Sequence, residues 1–465
     1  LHHYIFELSL ISGWVPAAVQ VIAVVAVAGA VGWRSDLWNT RWLPWHLGSG
    51  VVLAGVAHWY IGSIGVAGDS APWRLWLWIG LTGLAVSVLV TGWLNRQWWR
   101  RGVSALAVPL CLLCAALALN AWVGYFPTVN VVWNQLTRAP VPNQTDRVAV
   151  TAMQVAGDRP AKGVVVPVTI PAEASKFTHR GELVYLPPAW FAHNPPPRLP
   201  VVMMIGAALN TPADWLRAGN AITTVDDFAA AHNGNAPVLV FVDATGAFNN
   251  DTECVNGSRG KAADHLTKDV VPFMVTDFGV SADRANWGIL GWSMGGTCAV
   301  DLTVMHPELF SAFVDIAGDL GPNTGNKAQT ISRLFGGNAD AWAAFDPTTV
   351  ITRHGPYTGV SAIFDMASNP QNGRRPDLVG NPEGQDVAIK TLSALASTHG
   401  IQCGMLTQPG KHDWPFAAQA FSATLPWLAG QLGTPGVPAV PLPQPVLSRA
   451  ANPAPATVNT VAGGR

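Results

Sequence analysis

The stretch ANWGILGWSMGGTCAVDLTVMHPELF occupies residues 285–310. Its first part, 285–293, is a short apolar run that reads as a strand, and 295–310 has the spacing of a helix. Between them Gly291, Trp292, Ser293, Met294 and Gly295 form a GxSxG turn. In a chain with 46 glycines the motif says little alone. Set between a strand and a helix, it describes a sharply turned serine held out as a nucleophile, with small flanking residues that let the chain bend.

A nucleophilic serine needs a base, and on a strand–turn–helix scaffold the chain order is Ser, then Asp or Glu, then His after the last strand. His412 in QPGKHDWPF (408–416) stands between a strand expected at 401–410 and a helix expected at 415–432. His306, His354 and His399 lack that placement.

Working outward from the motif, further apolar runs at 163–171, 181–188, 199–206, 237–244, 311–318 and 359–366 read as strands. Helical spacing recurs at 265–279 and 385–399. Strands that are almost wholly apolar, alternating with helices, predict an α/β domain over 163–433 with a mostly parallel sheet covered on both faces. Residues 127–162 are read as a linker and the start of this domain. The Pro/Ala-rich tail, 434–465, has no periodic apolar face and is expected to be disordered.

Residues 1–126 are different. Of 465 residues only 12 % are charged and the mean hydropathy is +0.25, and the apolar excess lies at the start of the chain. Four uncharged stretches, 11–33, 45–68, 75–94 and 102–126, each exceed the ~20 residues that cross a bilayer as a helix, so four transmembrane helices are expected. Trp33, Trp42, Trp45, Trp73, Trp98 and Trp99 lie near their ends, as an interfacial belt requires. Arg34 and Arg41 in the first connection, and Arg96, Arg100 and Arg101 in the third, outweigh Arg74 in the second. The positive-inside rule then places both termini, and everything after about residue 127, on the extracytoplasmic face of a bacterial cell membrane. A net charge of −1 without a basic run argues against nucleic acid as a partner.

The segments GWSMGGTCAVDLTVMHPELFSAFVDIAG, GELVYLPPAWF…LPVVMMIG and PGKHDW…LPWLAGQL resemble the esterase family that includes esterase D, feruloyl esterases and secreted mycolyltransferases. The similarity covers roughly 165–432. It implies an α/β-hydrolase fold and serine-dependent acyl-ester chemistry, with Ser293 as nucleophile and His412 as base. It also implies an oxyanion hole made by the backbone N–H groups of Met294 and Ala207, with Ala208 as the alternative to Ala207. The family's acid follows the strand that here reads GVSAIFDM, where ASNPQ has no carboxylate. Asp365 at the strand end and Asp377 in the following loop both stay open as the third member of the triad.

Cys254 and Cys298 are a candidate disulfide if the domain faces an oxidising compartment. Cys111 and Cys114 read as packing residues in a span. No spacing of Cys and His suggests a metal site, and no cofactor is implied. The function expected is a membrane-anchored serine esterase or acyltransferase acting on acyl or aminoacyl esters of membrane or envelope lipids. The competing class is a hydrolase-like binding or scaffold module without catalysis. Trp215, Trp342 and Trp414 are candidates to line an acyl cleft.

Overall fold

The computed structural model describes residues 8–31, 42–64, 71–93, 98–137, 139–368 and 384–443. Asp377 and residues 444–465 lie outside them.

Four helices begin the chain: α1 (Trp14–Val31), α2 (Leu43–Ile64), α3 (Trp73–Gly92) and α4 (Trp98–Val123). Among the described residues three, α1, α3 and α4, are long and apolar enough to cross a membrane. α2 forms a helix of 22 residues beside them. Its contact with α3 is backbone-close, since a Cβ on Gly50 would lie 2.5 Å from the carbonyl oxygen of Gly80. His46 Nδ1 meets Ser87 Oγ at 2.7 Å across the same seam. Small residues dominate the shared interior, with Ala23, Ala26, Ala30, Ala85, Ala107, Cys111 and Cys114 buried together. Lipid tails offer no hydrophobic contrast between helices, so close packing of small side chains holds such bundles. Val21, Val24, Val25, Leu106 and Leu112 point outward.

The chain returns to where it began. Ser9 bridges Thr128, and Leu10 N–H donates to Pro127 C=O at 2.9 Å. Asn120 fixes the exit from α4 by donating to Phe126 C=O at 2.9 Å and accepting from its N–H at 2.7 Å. Two short helices follow, α5 (Val129–Leu136) and α6 (Arg147–Ala156).

Among the described residues the remainder holds a single eight-stranded sheet, a separate two-stranded hairpin and, as helices of eight residues or more, α7 (Ala221–Ala231), α8 (Val271–Phe278), α9 (Met294–Met305), α10 (Lys327–Phe335), α11 (Pro347–His354), α12 (Gln385–Thr398) and α13 (Trp414–Gln431). The strands of the sheet are β1 (Val164–Val168), β2 (Glu182–Leu186), β3 (Val201–Ile205), β4 (Val238–Val242), β5 (Trp287–Trp292), β6 (Ala312–Ile316), β7 (Ser361–Ser368) and β8 (Gln402–Pro409). Spatial order is β1-β2-β4-β3-β5-β6-β7-β8. β1 and β2 pair antiparallel, and the other six run parallel. Seven of these eight strands fall within runs read from the sequence, and β7 runs two residues past the expected 359–366. Along β3, Val201, Met203 and Ile205 enter one core while Val202 and Met204 enter the other, which is the two-residue alternation of a sheet covered on both faces. The strand order reverses between β3 and β5. In open parallel sheets that reversal leaves a crevice at the carboxyl ends of the strands, where the loops diverge.

Two expectations change here. Residues 434–443 are not free: Val437 and Leu442 pack against the core, and Pro443 lies over Gly404. Prolines and small apolar residues that lack helical period can still lie extended on a domain. Trp215 and Trp414 do not line a cleft; both are fully buried, edge to face at 5.3 Å.

Candidate active site

Ser293 stands between β5 and the helix α9 (Met294–Met305), with φ 57° and ψ −121°. That backbone is costly for a residue with a Cβ, and such strain persists only where the surroundings over-determine it. Its neighbours show how. A Cβ on Gly291 would lie 1.7 Å from Gly295 C=O, and one on Gly295 would lie 2.3 Å from Ile205 C=O. Both glycines are therefore required by space, and the turn they permit lifts Ser293 above the sheet edge. The Ser293 N–H donates to Ile316 C=O at 2.9 Å, which pins the turn to β6.

His412 follows β8, three β-strands away from β5 in the sheet. Its Nε2 lies 3.0 Å from Ser293 Oγ. The ring packs on Trp292 with centroids 4.2 Å apart. Burial pushes the imidazole down to about 4, so it is neutral and able to accept a proton at ordinary pH.

On the far side of the ring, the side-chain amide of Gln385 lies 2.6 Å from Nδ1. Gln385 opens the helix α12 (Gln385–Thr398) and is buried. The amide nitrogen, Nε2, is the atom turned toward Nδ1. An imidazole that accepts the serine proton on Nε2 carries its own proton on Nδ1, and then the amide oxygen must face it. Nothing in the sequence marks this residue, because glutamine has no part in the usual triad.

Asp365 does not reach His412. It is fully buried at the β7–β8 seam, where its Oδ2 accepts from the Gln408 amide. Burial raises it to about 7, although Gln408 and the Met366 N–H oppose the shift.

Met294 opens α9, where backbone N–H groups have no intrahelical acceptor and the helix dipole favours negative charge. Ala207 stands on the facing loop after β3, and its N–H donates to Asn210 Oδ1 at 3.0 Å. Cys254 and Cys298 are joined by a disulfide, with Cα atoms 5.6 Å apart. The bond ties α9 to the loop after β4.

The fold also gathers His179, Glu182 and His265, whose ligand-type atoms lie within 4.8 Å of one another. The two imidazoles stack face to face, centroids 4.2 Å apart and planes 23° from parallel, so their lone pairs do not converge on one ion. Instead His265 sits between carboxylates, 3.1 Å from Glu182 and 3.3 Å from Asp269. Burial opposes its charge, but these two partners prevail and raise its pKa.

A serine on a strained strand-to-helix turn, a neutral histidine at hydrogen-bond distance and a parallel sheet beneath them are the arrangement of a serine hydrolase of α/β-hydrolase architecture. The "Putative esterase" family model matches residues 178–428, and this chain belongs to that family. It is a hydrolytic enzyme. An uncharacterized protein of Corynebacterium glutamicum is 30 % identical over 374 residues, which cover 78 % of this chain and 83 % of that one. Among solved structures, an S-formylglutathione hydrolase from Agrobacterium tumefaciens is 17 % identical with a TM-score of 0.48, covering 59 % of this chain and 97 % of its own. MPT51 of Mycobacterium tuberculosis is 18 % identical with a TM-score of 0.42, covering 57 % and 97 %.

Proposed function

We propose that this protein is a membrane-anchored serine esterase or acyltransferase that acts on acyl or aminoacyl esters of membrane or envelope lipids. The observation that carries the reading is the 3.0 Å approach of His412 Nε2 to Ser293 Oγ on the strained turn. Ser293 Oγ attacks the acyl carbon as its proton passes to Nε2. The resulting oxyanion is held by the N–H groups of Met294 and Ala207, the latter once Asn210 yields its place. Collapse expels the alcohol, which takes the proton from His412, and leaves an acyl-enzyme. Water or an acceptor alcohol then repeats the steps in reverse. Asp377 is assigned the acid's role over Asp365, whose carboxylate is engaged by Gln408, and it would act on Nδ1 beside the Gln385 amide.

The four-span reading draws support from the pairing of residues 8–10 with 127–129. Segments before α1 and after α4 that touch must lie on one side of a bilayer, so the crossings between them are even in number. With α1, α3 and α4 able to span, α2 supplies the fourth. The loop arginines place that shared side outside the cytoplasm.

The test is labelling of the detergent-solubilised protein by a fluorophosphonate, read by intact mass. Wild type is expected to gain one adduct that Ser293→Ala and His412→Ala abolish, with Asp377→Asn weakening it more than Asp365→Asn. Folded wild type that takes no label would defeat the reading and leave a binding module.

A further inference from the structure

The end of α4 is built into the candidate active site. Directly after α4, Gly124 lies against the histidine loop, where an added Cβ would meet Pro415 Cδ at 2.6 Å and Asp413 Cβ at 3.2 Å. Tyr125 donates its hydroxyl to Asp214, and Asp214 in turn accepts from Thr211 N–H at 2.6 Å in the loop that follows β3. Val123 and Tyr125 both pack against the core beneath the site. A helix apolar enough to span a bilayer thus stops within a few residues of the loops bearing His412 and Ala207.

The same edge of the sheet is unusually apolar. Leu209, Phe248 and Leu320 are 37 %, 68 % and 42 % exposed. They stand on the loops after β3, β4 and β6, and the parallel strands bring all three to the carboxyl edge around Ser293. Val387, 59 % exposed, lies in the first turn of α12, two residues after the Gln385 that meets His412. Among the described residues from 139 onward, the other exposed large apolar side chains are Val148 and Val155, on α6, and Val440. Single exposed apolar residues need no explanation, but a set converging on one rim marks a surface that meets an apolar partner.

We infer that α4 holds the mouth of the active site against the bilayer, with Phe248, Leu320 and Leu209 entering the acyl-chain layer, so that the enzyme draws its ester sideways out of the membrane. The occupant of the rim is lipid, because the rim is continuous with the end of a membrane helix. This rests on the esterase reading of Ser293.

The experiment uses the full chain in phosphatidylglycerol vesicles. Two probes are compared: 4-methylumbelliferyl oleate carried in the bilayer, and water-soluble 4-methylumbelliferyl acetate. Phe248→Ser with Leu320→Ser is expected to lower kcat/KM for the oleate by about tenfold or more. Turnover of the acetate and fluorophosphonate labelling should not change. Equal loss on both probes, or loss on neither, would overturn the inference while leaving the esterase reading intact. Phe248→Cys labelled with bimane, in a Cys403→Ser background, supplies an independent readout that does not depend on turnover: the bimane emission, separate from that of the 21 tryptophans, should be quenched by lipids brominated on the acyl chain. Absence of quenching in labelled, folded protein also overturns it. Wild type that takes no fluorophosphonate fails the esterase reading instead.

Discussion

Ser293, His412 and Gln385 form a line across the site, and the electrostatics of its middle member set the pH response. Burial holds His412 at about 4, so its basic form is lost only as the pH falls through that value. The acid limb of kcat/KM is therefore expected near pH 4. Gln385→Glu would place a carboxylate at Nδ1, favour the imidazolium and move the limb to higher pH. A pH–rate profile of the two proteins on a soluble ester measures this directly. An unmoved limb would mean that residue 385 does not govern the charge of the ring. Asp365 is close in sequence to the place where an acid is expected, yet the strand register turns it into the β7–β8 seam. A one-dimensional pattern does not reveal which side of the strand end a carboxylate faces.

The turn from β5 into α9 is the element on which the chemistry depends. Strand, glycines and helix were all legible because each is a local matter: apolar alternation, a missing Cβ and helical spacing lie within 26 residues of chain, 285–310. The reason for each glycine was not local, since Gly295 faces Ile205 of a neighbouring strand. Gly291→Ala should be severe, because its methyl would lie on the Gly295 carbonyl. A loss of more than about 3 kcal/mol, or failure to fold, is expected in thermal or urea unfolding of the solubilised protein. Near wild-type stability would show that the turn has room to relax.

For the whole molecule, the contact between residues 8–10 and 127–129 turns a count of spans into a statement of sidedness. With Ser12→Cys before α1 and Thr151→Cys on α6, both thiols are expected to react with a membrane-impermeant maleimide added outside intact cells. Reaction of one without the other would break the even number of crossings. Neither thiol reacting until the cells are opened would reverse the orientation drawn from the loop arginines. The seating of Gly124 and Tyr125 on the loops bearing His412 and Thr211 also predicts that the N-terminal apolar helices do more than tether, as the vesicle assay on the rim residues would register.

Periodicity, composition and turn chemistry determined the apolar helices, the chain order and approximate limits of the eight strands, and the strand–turn–helix around Ser293. Each of these is decided by residues near one another in the chain. Tertiary structure alone decided that a glutamine meets His412, that Asn210 holds the Ala207 N–H, that Trp215 and Trp414 belong to the core, and that α4 ends against the histidine loop. Apart from the local Asn210–Ala207 contact, these are meetings between residues tens to hundreds of positions apart, fixed by sheet order and by the packing of helices on it. No local pattern encodes them, because the partner of each side chain is chosen by the fold as a whole.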